Sequence, residues 1–151
     1  MEGKARGSVP RVIARYLELY TRGDLSIADA IIAPEFVDHT HPELPPGPEG
    51  VKRMVAATHA AFPDLAITVE QVIAEGEFVA FRWTLRGTRR GPFAGVAPTG
   101  RAIALTGMDL VRVAGGRMAE LWSSQDTLGL LLALGAVAWV RPGHGPEPSP
   151  G

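Results

Sequence analysis

The chain has 151 residues, a length that fits one domain with a sizeable core. Its 15 Lys and Arg nearly balance 16 Asp and Glu, so no global field favours nucleic acid or an acidic membrane surface as a partner. The sequence contains no cysteine, which excludes disulfides, thiol nucleophiles and cysteine-based zinc sites.

The two ends of the chain carry no sign of a packed element. Residues 1–8 lack an apolar signal core, and we expect them to be disordered in a cytoplasmic protein. The apolar stretch Leu128–Val140 is shorter than the about 20 residues that span a bilayer, so we expect no membrane association. Residues 137–151 are rich in Pro and Gly, which predicts a loose tail after a domain of residues 9–136.

The first half of the chain is predicted to be mostly helical. Apolar residues at helical spacing predict a helix over residues 9–21, and a second, short helix follows over Leu25–Ile32. A brief strand is expected over Glu35–Thr40, and the prolines of Pro42–Gly50 predict a stiff loop. Pro48 suits the first turn of a third helix, which Pro63 ends.

The second half changes to the alternating pattern of strands. Four consecutive strands are predicted, with tight turns at Gly76 and at Gly115-Gly116 and a Gly/Pro-rich excursion before the third; they cover Leu65–Ala74, Phe78–Thr88, Arg101–Val113 and Arg117–Gln125. A closing helix follows from Thr127 to about Leu134. This order predicts an α+β fold with helices on one face of a curved antiparallel sheet. Both faces of the middle strands carry apolar residues, so we expect the outer face to form a homodimer.

The junction between the last strand and the last helix carries a carboxylate with two possible roles. Trp122 and Asp126 share a face if the strand stays regular, because side chains at i and i+2 lie on one side. A carboxylate packed against the ring of Trp122 in a pocket would have its pKa raised toward the range that suits proton transfer. Asp126 is equally suited to cap the helix that begins at Thr127.

Asp109 and a pair of histidines are the other polar candidates. Asp109 lies mid-strand among apolar residues, where an unpaired acid is costly to bury; it is either a pocket residue or one half of an ion pair with Arg82 or Arg112. His39 and His41 are two residues apart, but no third ligand stands at a suitable spacing. We therefore predict no metal site and expect one histidine, His39, to contact substrate.

Several stretches, in this order, resemble a known family. They are Asp38-His39, Ala61-Phe62-Pro63-Asp64-Leu65, the glycine-rich run from Gly87 to Arg101, and Glu120-Leu-Trp122 with Asp126. Over residues 9–136 the chain resembles the SnoaL-like polyketide cyclases of the nuclear transport factor 2-like superfamily. The resemblance implies a cone-shaped barrel, in which a strongly bent sheet surrounds a pocket and helices close its narrow end.

The resemblance also implies an activity. Characterised cyclases of the family close a ring in a polyketide ester by intramolecular aldol condensation, without cofactor or metal, and use an aspartate on the last strand as acid and base. Asp126 falls at that position. The residues expected to contact a hydrophobic substrate are Trp122, His39, Asp109, Phe62, Arg82 and Tyr16. Arg89 departs from the family, in which a histidine is expected near this position.

Two other functions remain open on the sequence. An isomerase or epoxide hydrolase acting on a hydrophobic small molecule is the first; the hydrolase would need Asp109, Asp126 and Arg82 around one water. A protein that only binds a hydrophobic ligand is the second, and it is favoured if Asp126 is a helix cap that faces solvent.

Overall fold

A computed structural model of the protein describes residues 7–91, 100–140 and 142–143. Within these residues the predicted elements are all present and in the predicted order. They are α1 (Arg11–Arg22), α2 (Ser26–Ile31), β1 (Ile32–Asp38), α3 (Pro48–Ala61), β2 (Ala66–Glu75), β3 (Phe78–Thr88), β4 (Ala102–Ala114), β5 (Arg117–Gln125) and α4 (Thr127–Ala133). The α+β class is therefore confirmed.

Helix α1 shows how the sequence sets one of these boundaries. Ile13, Tyr16 and Leu19 recur at helical spacing and form its buried face. The helix ends at Gly23, which adopts the left-handed conformation (φ 66°) and donates its N–H to the Leu19 carbonyl at 3.0 Å. Glycine reaches this conformation without the steric cost that a side chain would bring.

The five strands form one curved, open sheet in the order β1-β5-β4-β3-β2. Strands β2 to β5 pair antiparallel as predicted, and β1, for which no pairing was predicted, runs parallel to β5. The sheet is also not closed into a barrel, because β1 and β2 remain as edges. Pro34 lies inside β1, where only an edge strand tolerates a residue without an N–H.

The two hairpins follow from their turn residues. Gly115 and Gly116 both have positive φ (59° and 76°), which matches the twist of the strands that they connect. Gly76, between β2 and β3, also has a positive φ of 57°. Each tight turn fixes the register of the two strands that it connects, β2 with β3 and β4 with β5, and the register decides which side chains face the helices.

Helices α1 and α3 cover one face of the sheet, which we call the inner face. On β3 it carries Phe81, Trp83 and Leu85, and on β4 it carries Leu105 and Asp109. The opposite, outer face carries the alternate residues, of which Met108, Leu110 and Trp122 are exposed apolar side chains.

The predictions for the two ends of the chain remain largely open. Most of the N-terminal residues 1–8 and of the tail 137–151 lie outside the described residues. Among the residues that the structure describes, no helix is both long enough and apolar enough to cross a membrane.

Candidate active site

A cavity of about 150 Å³ lies between the inner face of the sheet and helices α1 and α3. Its walls are mainly apolar, and its polar groups come from α1 and α3, from β4 and β5, and from residues at and just after the end of β1. The lining residues are Tyr16, Leu17, Tyr20, Asp38, His41, Met54, Thr58, Phe62, Ile67, Phe81, Trp83, Leu85, Leu105, Asp109, Leu121, Ser123 and Gln125. An engineered cavity of about 150 Å³ in another protein binds benzene, so a ring-sized group fits here.

Asp109 is the carboxylic acid buried in the wall of this cavity. It is 7% exposed, and its Oδ1 accepts two hydrogen bonds, from Trp83 Nε1 at 3.0 Å and from Ser123 Oγ at 2.7 Å. Its Oδ2 accepts none from the described residues. One oxygen is thus fixed by the protein, and the other is left for a bound molecule.

Burial raises the pKa of Asp109 above the ordinary value of 3.8. The hydrogen bonds from Ser123 and Trp83 act in the opposite direction, and the charge of Asp38 raises the pKa further. Among the described residues the partners of Asp109 are neutral, so of the two alternatives that the sequence left open the pocket residue is confirmed and the ion pair with Arg82 or Arg112 is not formed. A buried carboxyl group without a cation is a candidate for proton transfer, because its ionised form is a stronger base than a free carboxylate.

The glycine opposite Trp83 makes this arrangement possible. Gly107 pairs with Trp83 across β3 and β4, and the indole ring occupies the space where a side chain at Gly107 would stand. A Cβ atom at Gly107 would stand only 2.3 Å from Trp83 Cζ2. The missing side chain therefore lets the indole reach along β4 to Asp109.

A second carboxylate in the cavity is paired with a histidine. Asp38, the last residue of β1, accepts the backbone N–H groups of Thr40 (2.9 Å) and His41 (3.3 Å) through Oδ1. Its Oδ2 is 3.0 Å from His41 Nδ1. This contact fixes the imidazole and leaves Nε2 as its other functional atom.

The Asp38–His41 pair is tied to Asp109 through the backbone of β5. Thr40 Oγ1 donates to the Ser123 carbonyl at 3.1 Å and accepts the Ser123 N–H at 2.8 Å. Ser123 in turn donates its hydroxyl to Asp109. The two carboxylates thus belong to one network of hydrogen bonds.

Two tyrosines of α1 complete the polar lining. The hydroxyl groups of Tyr16 and Tyr20 are 3.4 Å apart, and burial raises the pKa of both phenols. Both side chains therefore stay protonated and can donate hydrogen bonds. Tyr16 and Phe62 lie in the cavity wall, where the sequence predicted them to contact substrate.

Asp126 does not line the cavity. It is exposed and caps α4, and its Oδ1 accepts the N–H of Gly129 at 2.9 Å. A Cβ atom at Gly129 would stand 2.1 Å from Asp126 Oδ2, so the carboxylate is folded closely over the first turn. The expected position beside Trp122 in a pocket was wrong, while the alternative role as a cap is confirmed.

Three further candidates lie on the outer face instead of in the cavity. The indole of Trp122 stacks on the imidazole of His39, with ring centroids 4.6 Å apart, and His39 Nε2 is 3.1 Å from Glu120 Oε1. Arg82 Nε donates to Gln71 Oε1 at 3.4 Å. Trp122 faces outward because the inner face of β5 is formed by its neighbours Leu121 and Ser123. Arg82 faces outward for the same reason on β3, where its neighbours Phe81 and Trp83 line the cavity.

Sequence reasoning missed part of the site that the structure brings together. Trp83 and Ser123, which hold Asp109, were not singled out, and His41 lines the cavity where His39 was expected. A polar residue on an otherwise apolar strand face was the available signal for Ser123. The contact between Trp83 and Gly107 can be recognised only when the register of β3 and β4 is known, and the sequence alone does not show this register.

Comparisons with known proteins agree with the fold. The family model described as SnoaL-like polyketide cyclase matches residues 10–134. No curated protein matches the chain. Among solved structures, TsrD from Streptomyces laurentii is 28% identical with a TM-score of 0.81, and the match covers 89% of this chain and 99% of TsrD.

Two other solved structures are similar over most of their length. IdmH from Streptomyces antibioticus, named as a candidate polyketide cyclase, is 38% identical with a TM-score of 0.70, over 82% of this chain and 96% of IdmH. AclR from Streptomyces galilaeus, named as a candidate hydroxylase, is 26% identical with a TM-score of 0.71, over 84% of this chain and 95% of AclR.

Proposed function

This chain belongs to the SnoaL-like polyketide cyclase family, and from that premise we propose that it closes a ring in a compact keto ester by intramolecular aldol condensation. The observation that carries the proposal is Asp109, a buried carboxyl group in the cavity with a raised pKa and one oxygen that accepts no hydrogen bond from the residues that the structure describes. In this proposal Asp109 takes the role that the family resemblance implied for Asp126. The exposed cap at Asp126 favours a protein that only binds a hydrophobic ligand, but the buried carboxyl group of Asp109 supplies the acid–base group that such a protein does not need.

The reaction needs one proton removed and one proton delivered. Asp109 Oδ2 takes a proton from a carbon between two carbonyl groups, and the resulting enolate carbon attacks a ketone of the same molecule. The new alkoxide oxygen then receives a proton, which leaves a ring with a tertiary alcohol. The cavity contributes by holding the two reacting carbons together, and positioned acid–base groups typically contribute a further factor of about 10²–10⁴.

A matched pair of aspartate variants tests the assignment. The probe is a linear methyl keto ester whose activated methylene forms a six-membered ring with a distal methyl ketone, and ring closure is followed by chromatography and NMR. We expect Asp109→Asn to reduce the rate by about 10²–10⁴, as loss of a general base does. Asp126→Asn should keep the wild-type rate, because asparagine is also a good N-cap.

The opposite result, with an active Asp109→Asn and an inactive Asp126→Asn, would return the catalytic role to Asp126. Circular dichroism and thermal melts of both variants exclude loss of folding as the cause.

Double-bond isomerisation is the second candidate function, and Tyr16 is the observation that favours it. A phenol beside a carboxyl group in an apolar cavity can donate to an enolate oxygen, as a tyrosine and a protonated aspartic acid do in ketosteroid isomerase. An unconjugated cyclohexenone would become conjugated, which an increase in ultraviolet absorbance detects. Epoxide hydrolysis is not favoured, because Arg82 lies on the outer face and Asp126 does not line the cavity.

We also propose that the outer face of the sheet joins two copies of the chain. Met108 is 60% exposed and Trp122 36%, and the same face carries Arg112 and Glu120. A surface with apolar groups and charges of both signs can be complementary to itself around a twofold axis. Sedimentation of Met108→Glu beside the wild type tests this: the wild type should sediment as a dimer and the variant as a monomer, and a monomeric wild type would refute it.

A further inference from the structure

The Asp38–His41 pair is a polar part of the cavity to which the aldol proposal has assigned no role. Both residues line the cavity, and the Nδ1···Oδ2 contact of 3.0 Å holds the imidazole in one orientation. Asp38 is itself fixed by the two backbone N–H groups that its Oδ1 accepts. No described residue bonds to His41 Nε2, so this atom is free to meet a bound molecule.

The pair and Asp109 stand on opposite sides of β5. Asp38 is in register with Leu121 of β5, and Asp109 is in register with Ser123, two residues further along the same strand. Adjacent strands lie about 4.8 Å apart, so the backbones of β1 and β4 are about 10 Å apart across β5. Side chains that point to the same concave face close part of this gap.

That separation suits a molecule held between two proton-transfer groups. Each group must lie within about 3 Å of the atom that it serves. In a closing ring, the carbon that loses a proton and the ketone oxygen that gains one are themselves separated by a few bonds. One group on each side of the substrate therefore fits the cavity better than one carboxylate that serves both atoms.

We propose that His41 is a second catalytic residue, the acid that protonates the ketone oxygen, and that Asp38 is its positioning residue. This inference rests on the proposed aldol reaction. Asp109 Oδ2 accepts the proton from carbon, the carbon–carbon bond forms as the ketone π bond breaks, and the ketone oxygen receives the proton of His41 Nε2. Proton exchange with solvent then returns Asp109 to its ionised form and His41 to its protonated form.

The chain offers a matched control for this role. His39 is two residues away and also contacts a carboxylate, Glu120, but it stacks on Trp122 on the outer face. His39→Gln and His41→Gln therefore make the same chemical change on opposite sides of the sheet. Asp38→Asn tests the positioning role, since the asparagine keeps the shape of the side chain but loses its charge.

The experiment separates the two proton transfers with the linear methyl keto ester described above. Exchange of its activated methylene in D₂O, followed by NMR and corrected for the uncatalysed rate, requires only the base. Ring closure requires both groups. We expect His41→Gln to keep methylene exchange within about 3-fold and to lose ring closure by about 10²-fold, the range of a missing general acid.

The other variants complete the pattern. Asp38→Asn should reduce ring closure by about 10-fold, mainly in kcat and with KM little changed, because the imidazole stays in place but is poorly oriented. His39→Gln should behave as the wild type. Asp109→Asn should lose both reactions.

Three results would overturn the inference. His41→Gln with wild-type ring closure would mean that His41 is not the acid. If His41→Gln loses methylene exchange and ring closure equally and keeps a native circular dichroism spectrum, His41 is the base or a binding residue and not the acid. If Asp38→Asn closes the ring at the wild-type rate, Asp38 has no positioning role. A wild type without exchange would instead refute the aldol proposal itself, and His41 would then have no role as its acid.

Discussion

Replacing Gly107 by alanine should damage the site through packing alone. The added Cβ would stand 2.3 Å from Trp83 Cζ2 and 2.7 Å from Cε2, whereas carbon atoms in contact prefer about 3.5–4.0 Å. The indole must therefore move by more than about 1 Å. Its Nε1 is 3.0 Å from Asp109 Oδ1, close to the about 3.2 Å limit of a good N–H···O bond, so the movement breaks the bond.

The expected magnitude follows from these displacements. Overpacking of a well-packed core costs about 1–3 kcal/mol, and Gly107→Ala should lower the free energy of unfolding by this amount. Loss of the Trp83 hydrogen bond, which lowers the pKa of Asp109, should raise that pKa. The acidic limb of the pH–rate profile for ring closure should therefore move to higher pH.

Urea denaturation measures the first effect, and initial rates as a function of pH measure the second. Trp83→Phe removes the same hydrogen bond without the clash and is the matched control. In the double variant Gly107→Ala/Trp83→Phe the smaller ring leaves room for the new methyl group. The loss in free energy of unfolding should therefore be less than the sum of the losses in the two single variants. A Gly107→Ala protein destabilised by less than about 0.5 kcal/mol, or strictly additive costs, would refute the clash.

Three further predictions concern the two aspartates and the serine. Asp109→Asn should stabilise the protein at neutral pH, since it keeps an acceptor for Trp83 and Ser123 and removes a buried charge. Because the pKa of Asp109 is raised on folding, the wild type loses stability as pH rises above about 4. Urea denaturation should therefore give the variant a higher free energy of unfolding than the wild type, by a difference that is absent at about pH 3 and grows above it. An advantage independent of pH would contradict the raised pKa. Asp126→Ala should lower the free energy of unfolding by about 1 kcal/mol, measured by thermal or urea denaturation, because the N–H of Gly129 loses its acceptor. The rate of ring closure should stay unchanged, and a large loss of activity in a folded variant would show a catalytic role for Asp126. Ser123→Ala should raise the pKa of Asp109, and an acidic limb of the rate profile that stays in place would count against Asp109 as the base.

The order of elements was predictable because it depends on local signals. The alternation of Val79, Phe81 and Trp83 predicts a strand wherever its partners lie, and Gly23 ends a helix by its own conformation. The parallel pairing of β1 with β5 was not predictable in this way. It depends on contacts between residues about 80 positions apart, such as His39 N–H with the Leu121 carbonyl at 2.9 Å.

The site was only partly predictable for a related reason. Alternation along β5 separates Leu121 and Ser123 from Trp122, but both sets contain large apolar residues, so the pattern cannot say which set faces the helices. A tryptophan is as well placed in a stack on His39 as in a cavity wall. Asp109 was recognisable as a costly acid on an apolar strand, whereas its partners required the register of three strands.

Pro34 has a consequence for how copies of this chain can associate. An edge strand presents unpaired N–H and C=O groups, and a second chain can extend the sheet there and begin a continuous fibril. Pro34 removes one of these donors from the middle of β1, and the pairing of β1 with β5 is irregular between Ile32 and Val37. This edge is therefore a poor template for strand addition, which protects the cavity residues Asp38, at the end of β1, and His41, three residues later, from being drawn into an aggregate.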